Sequence, residues 1–274
     1  MSVSDSAPSP VPAPSISPHS ISPIPTPTQN VCYWPGLPLA LLIISLYLWS
    51  WLALLPVELS QLSGGLIVGA ITLRMFLHTG LFIVAHDAIH GTLCPRWPRL
   101  NDGVGAIAMF LYALFLYPVM RQQHLQHHQT PATPDDPDYA PRWHNNPCLW
   151  YGAFVWRYLQ GSHRWVVLGG MTGLFHSLRL FGHLSWINLL LFWVIPNLLS
   201  SVQLFLVGIY LPHRQPLEGY PAPHRSTTLP LPPFWSLLAC YHFGYHWEHH
   251  EYPHVPWHQL PRYRLRAPSR EMVS

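Results

Sequence analysis

At 274 residues the chain is long enough for one large domain, but with half its residues apolar and only 9% charged it is unlike an ordinary soluble domain, in which about 25% are charged. Its net charge of +3 rests on fourteen scattered arginines and no lysine, which excludes the concentrated basic footprint of a nucleic-acid-binding protein. Cys32, Cys94, Cys148 and Cys240 form no Cys-x-x-Cys pair, which argues against a disulfide framework or a zinc ribbon, and the compositional outlier is instead the nineteen histidines.

Residues 1–30 are rich in proline and serine with no apolar run, so they bury too little to offset their ordering entropy and read as a disordered tail. They lack the basic start and continuous apolar stretch of a secretory signal. Residues 31–262 read as one membrane domain and 263–274 as a polar C-terminal tail. Residues 37–55 are apolar apart from Ser45 and Ser50, close to the roughly 20 that span a hydrocarbon core, and Pro56 and Glu58 end the run. A second apolar run, about 62–85, carries Arg74 and His78 at a four-residue spacing, so the face they share must look into the bundle. It continues directly into His86-Asp-Ala-Ile-His90.

A polar loop over 91–102 leads to a short apolar stretch, 103–119. A single crossing here would leave His124 on the opposite membrane face from His90, so this stretch reads as a re-entrant or interfacial hairpin. Residues 121–163 are polar and include the turn-forming run Pro131 to Asp138. Two more spans are expected at 165–181 and 186–210, joined by a turn at 182–185, with Pro196 kinking the second. The fold class is therefore all-α: an integral membrane bundle of about four spans, a short re-entrant hairpin and a histidine-rich cap. Nine arginines, from Arg96 to Arg262, fall on the side of the histidine clusters, while the loop after the first span carries Glu58 and no arginine. The positive-inside rule then places both termini and the cap in the cytoplasm.

The histidines carry the chemistry. His124, His127 and His128, and again His246, His249 and His250, form His-x-x-His-His clusters, and His86 and His90 form a pair. On a helix, spacings of three and four residues place such side chains about a turn apart on one face. Neutral imidazole suits iron, copper, zinc and nickel, and eight or nine imidazoles are too many for one ion and about right for two. His163, His176 and His183 stand alone and read as packing or boundary residues. His242, His254 and His258 read as structural or as supports for the ligands. His78 is balanced between a buried partner of Arg74 and such a support.

The boxes His86-Asp-Ala-Ile-His90, His124-Leu-Gln-His-His128 and His246-Trp-Glu-His-His250 resemble those of the membrane fatty-acid desaturase and hydroxylase superfamily. Within it, Thr79 to Gly91, Asp136-Pro-Asp-Tyr139, Phe205 to His213 and Cys240 to His254 look most like the bacterial-type beta-carotene 4-ketolases. The resemblance covers about 37–262; the Pro-rich tail, the absence of lysine and His258, where a tryptophan is expected, depart from it. It implies a non-haem di-iron oxygenase that turns the ring methylene at position 4 of beta-carotene into a ketone, giving echinenone and canthaxanthin. The route would be two successive hydroxylations and loss of water, with O2 as oxidant. No dinucleotide, flavin or haem motif is present, so electrons would come from an external ferredoxin-type donor. The implied iron ligands are His86, His90, His124, His127, His128, His246, His249 and His250, with His213 as the ninth. Asp87, Asp138 and Glu248 are candidates to orient the imidazoles through their other ring nitrogen, as are His242 and His254. A lipid-soluble carotenoid would enter laterally, past aromatic residues such as Phe76, Phe82, Phe110, Tyr112, Phe205 and Tyr210.

Rival readings are a carotenoid 3-hydroxylase, a fatty-acid desaturase or an alkane hydroxylase, which share the boxes. A membrane metal transporter would instead place its ligands near the bilayer midplane, often with inverted repeats. A metalloprotease would need His-Glu-x-x-His, whereas Glu248 is followed directly by His249.

Overall fold

Apolar runs long enough to satisfy their own backbone as helices dominate the described residues, which are 36–216, 219–220 and 223–264 of a computed structural model. The expected disordered tail over 1–30 and the polar tail from 265 onward lie outside them. No strand occurs among the described residues.

Helix α1 spans Gly36–Leu54 and α2 spans Gly64–Ile89. Ser63 caps α2 by accepting from the Leu66 N–H, and Gly91, at φ +72°, turns the chain away at its other end. α3 (Pro98–Ala113) and α4 (Tyr117–Gln129) meet at 98°. Left-handed Leu114 ends α3, and Pro118, in the first turn of α4, suits a helix start because its missing N–H would have no partner there. The short α5 covers Pro147–Tyr158, and α6 (Gly170–Leu180) continues a π-helical turn at Trp165–Gly169. α7 runs over Trp186–His213 with π-helical stretches at Leu190–Val194 and Phe205–Tyr210. Three short helices close the fold: α8 (Pro233–Cys240), α9 (His246–Glu251) and α10 (Leu260–Arg264).

Among the described residues three helices, α1, α2 and α7, are long and apolar enough to cross a membrane. The expected span at 165–181 is helical, a π-turn running into α6, but is not among these three; its far end, Gly182–Ser185, lies beside the α1–α2 turn at Leu55–Ser60. The fourth candidate is the bent pair α3–α4, whose break falls inside the stretch expected to double back.

α2 is the hub and packs against α1, α3 and α7. Arg74 is fully buried there: its guanidinium donates to the Tyr47 and Phe192 carbonyls and to Ser50 Oγ, and lies 4.2 Å from the centre of the Tyr47 ring. This internal pairing is what lets a charge sit within a span. Lower on the same contact, Thr79 bonds Ser200 and Gln203 of α7, and Gln203 reaches on to the Ala239 carbonyl of α8. Leucines and tryptophans such as Trp49, Leu52, Leu66 and Leu198 point outward, as a lipid-facing surface requires.

Candidate metal centre

The C-terminal end of α2, most of α4, the end of α7 and α9 converge at one end of the bundle. They bring all nine histidines singled out in the sequence into two groups, each with its nitrogens within 4.8 Å of one another. One group is His86, His90, His124, His128 and His249; the other is His127, His213, His246 and His250. The boxes are divided between the groups, and helix geometry explains how. At about 100° per residue, positions i and i+4 lie about 40° apart, whereas i+3 lies about 60° to the other side of i. So His124 and His128 face one group while His127 turns to the other, and His246 and His250 pair while His249 crosses over.

In the first group the Nε2 atoms form a chain, His86–His249 at 3.1 Å, His249–His128 at 2.8 Å, His128–His124 at 3.1 Å and His124–His90 at 2.8 Å. In the second, His250 Nε2 lies 3.1 Å from both His127 Nε2 and His246 Nε2. A neutral imidazole has one N–H, so such chains leave several lone pairs pointing at one another. A cation resolves this: two nitrogens on one metal, at about 2.1 Å and about 90° apart, are about 3.0 Å from each other. Burial first, then neighbouring imidazoles, push His246, His249 and His250 well below the usual imidazole range, so all three stay neutral and offer lone pairs.

The other ring nitrogen fixes the orientation of two of these imidazoles. His127 Nδ1 donates to Asp136 at 3.0 and 3.1 Å, and His213 Nδ1 donates to the Arg225 carbonyl at 3.0 Å, which leaves His213 Nε2 buried and without a protein partner among the described residues. Asp136 also accepts the backbone N–H groups of Ala132 and Asp138, both at 2.8 Å. Burial raises both carboxyl groups; His127 brings Asp136 below its ordinary range, whereas Asp138, which also feels the Asp136 charge, is pushed up to about 6. Arg157 clamps this loop by donating to the carbonyls of Asp136 and Tyr139, and the Trp150 indole donates to the Asp138 carbonyl at 2.7 Å.

The other expected supports lie elsewhere. Asp138 Oδ2 is 3.6 Å from His127 Nδ1, beyond hydrogen-bond reach. Asp87 is 3.7 Å from His86 and receives the Trp257 N–H, Glu248 turns to the Thr228 hydroxyl, His242 stacks on Tyr245, and His254 is half-buried beside Tyr252. Asp136 is the support the sequence reading passed over; its signal was the nine-residue step from His127 into a turn-rich acidic run. His78 stacks on Tyr112 at 4.3 Å and lies apart from both groups.

A cavity of about 560 Å³ opens from this centre into the bundle. Its head is His86, His124, His127 and His246, and its walls are largely apolar, including Met109, Val167, Met171, Phe175 and Trp193. All three π-helical stretches contribute to it, in keeping with the frequent placement of π-turns at functional sites. Of the aromatic residues expected along a substrate path, Phe82 and Tyr112 line it. Phe110 is exposed, Phe76 stacks on Tyr241, and Phe205 and Tyr210 pack on Trp150.

Residues 62–272 match the family model described as fatty acid desaturase. A protein named beta-carotene ketolase from Paracoccus sp. (strain PC1) is 40% identical over 190 residues, covering 69% of this chain and 75% of its own length. A second beta-carotene ketolase, from Paracoccus sp. (strain N81106 / MBIC 01143), is 38% identical over 70% of this chain and 76% of its own. The zeaxanthin 4-ketolase of Chlamydomonas reinhardtii is 38% identical over 69% of this chain and 42% of its own. The chain belongs to the fatty acid desaturase family.

Proposed function

We propose that this chain is an oxygen-dependent, non-haem di-iron ketolase that oxidises the ring methylene at position 4 of beta-carotene to a ketone. The observation that carries the reading is one apolar cavity headed by members of both histidine groups. The names of the relatives supply the substrate class. His86, His90, His124, His128 and His249 would hold one iron, and His127, His213, His246 and His250 the other. The iron pair would supply O2 activation. Each oxidation consumes one O2, two electrons and two protons and yields an alcohol and one water. The second, at the same carbon, gives a geminal diol that loses water to become the ketone. The electrons come from an external ferredoxin-type donor.

The protein's part is to position the ring and exclude water. Phe243 sits edge-on to His86 and His246, at 4.8 and 5.4 Å, and closes the head of the cavity. Gly208 makes room for that ring, since a Cβ there would run into it. Leu168 and Leu198 line the cavity yet are 50% and 60% exposed on the outer surface. They mark a lateral opening between α7 and the π-turn that leads into α6, suited to a substrate dissolved in the bilayer. The arginine distribution supports a cytoplasmic active face. Expression in a beta-carotene-producing host tests the reading. Red pigments with the mass of mono- and diketones are expected, whereas yellow 3-hydroxylated products or unchanged carotene would refute it.

A further inference from the structure

Resting on the ketolase reading, we propose that Asp138, held in place by Tyr158, binds the hydroxyl of the half-oxidised ring and retains it for the second oxidation. Asp138 and Tyr158 are both buried and both line the cavity. Asp138 lies beside a candidate ligand without bonding it, its Oδ2 3.6 Å from His127 Nδ1. The other tyrosine hydroxyl of α5, on Tyr151, is committed to Ser201 at 3.0 Å.

The Tyr158 hydroxyl donates to Asp138 Oδ1. Asp138 Oδ2 receives no hydrogen bond from a donor among the described residues: His127 Nδ1 stands 3.6 Å away and gives its proton to Asp136. An unpaired oxygen on a buried carboxylate that lines an apolar chamber calls for an O–H or N–H donor. The hydrocarbon ring brings none. The alcohol left by the first oxidation brings one, on the very carbon that must be oxidised again. Asp138 therefore discriminates the intermediate from the starting substrate, and it keeps a molecule that has just become more water-soluble from leaving by the lateral opening.

Two arms test this. In the carotene-producing host, wild type should give mainly ketone, whereas Asp138→Ala should release 4-hydroxylated carotenoid at the expense of ketone, with iron content unchanged. Asp138→Asn, which still presents polar atoms to a hydroxyl, should restore most of the ketone. In the second arm the purified protein is loaded with zinc, which has no redox chemistry, and binding is read by carotenoid absorbance. Wild type should prefer the 4-hydroxylated ring over the hydrocarbon by roughly tenfold, the worth of one hydrogen bond to a charged acceptor, and Asp138→Ala should lose that preference. An unchanged alcohol-to-ketone ratio in Asp138→Ala overturns the proposal. So does loss of iron in step with loss of ketone, which would make Asp138 a support for His127. A lost preference for 3-hydroxylated rings alone also overturns it, since the site would then read a substrate hydroxyl. If wild type oxidises no carotenoid at position 4, the ketolase reading itself fails, an outcome distinct from these three.

Discussion

Replacing Asp136 by asparagine should weaken one metal site and spare the other. The carboxylate accepts His127 Nδ1–H at 3.0 and 3.1 Å and two backbone N–H groups, each at 2.8 Å. An asparagine keeps one oxygen and turns an amide NH2 toward donors, so at least one buried donor is orphaned, at a cost of about 1–3 kcal/mol. His127 also loses the charge that fixes its tautomer and raises the basicity of Nε2. Loss of such a partner weakens metal binding by about 10–100-fold, or about 1.4–2.8 kcal/mol. The effect should stay within the four-histidine group, because the one histidine to which Asp136 bonds, His127, belongs to it. Titration of metal-free protein with ferrous iron reads this directly. Wild type should fill both sites, and Asp136→Asn should show one unchanged phase and one shifted by roughly ten- to hundredfold. Two unchanged phases, or two phases shifted equally, would refute the division of the histidines into two groups.

His213→Ala should abolish ketone formation at matched protein level, whereas His183→Ala, beside the α1–α2 turn at Leu55–Ser60 and at φ +53°, should retain most of it; pigment chromatography separates the two. Leu198→Trp should narrow the lateral opening and lower carotene conversion several-fold without changing iron content, and full conversion would place the entrance elsewhere. Trp150→Ala removes a fully buried indole that packs on Tyr139, Phe205 and Tyr210, so it should cost about 3–5 kcal/mol and lower Tm in detergent, with the acidic loop loosened. A cysteine at the exposed Gln129 should react with an impermeant thiol reagent from the cytoplasmic side, and labelling from the opposite side alone would invert the orientation.

The periodicities that made the histidines stand out are local, and for that reason they were legible. Spacings of three and four residues within a helix state which side chains share a face, and apolar runs of span length state where α1, α2 and α7 lie. The division of the histidines between the groups was also contained in the residue angle, but it becomes visible only once the helices face each other. Asp136 was hidden because its position depends on Arg157 and Trp150 gripping a turn-rich loop from a helix later in the chain. Asp87 and Glu248 drew attention by adjacency, yet a helix turns about 100° between neighbours, so each carboxylate serves a different partner. The π-turn that opens the 165–181 segment has no signature in apolar composition, which signals burial or lipid contact without fixing helix type.

The most direct test of the central claim is a turnover of the purified, iron-loaded protein with beta-carotene, a reduced ferredoxin system and isotopically heavy O2. A two-iron ketolase should give echinenone and canthaxanthin carrying one heavy oxygen per oxidised ring, at about two irons per chain, and the zinc-loaded protein should give none. Ketone oxygen drawn from water, or full activity with zinc in both histidine groups, would contradict the account.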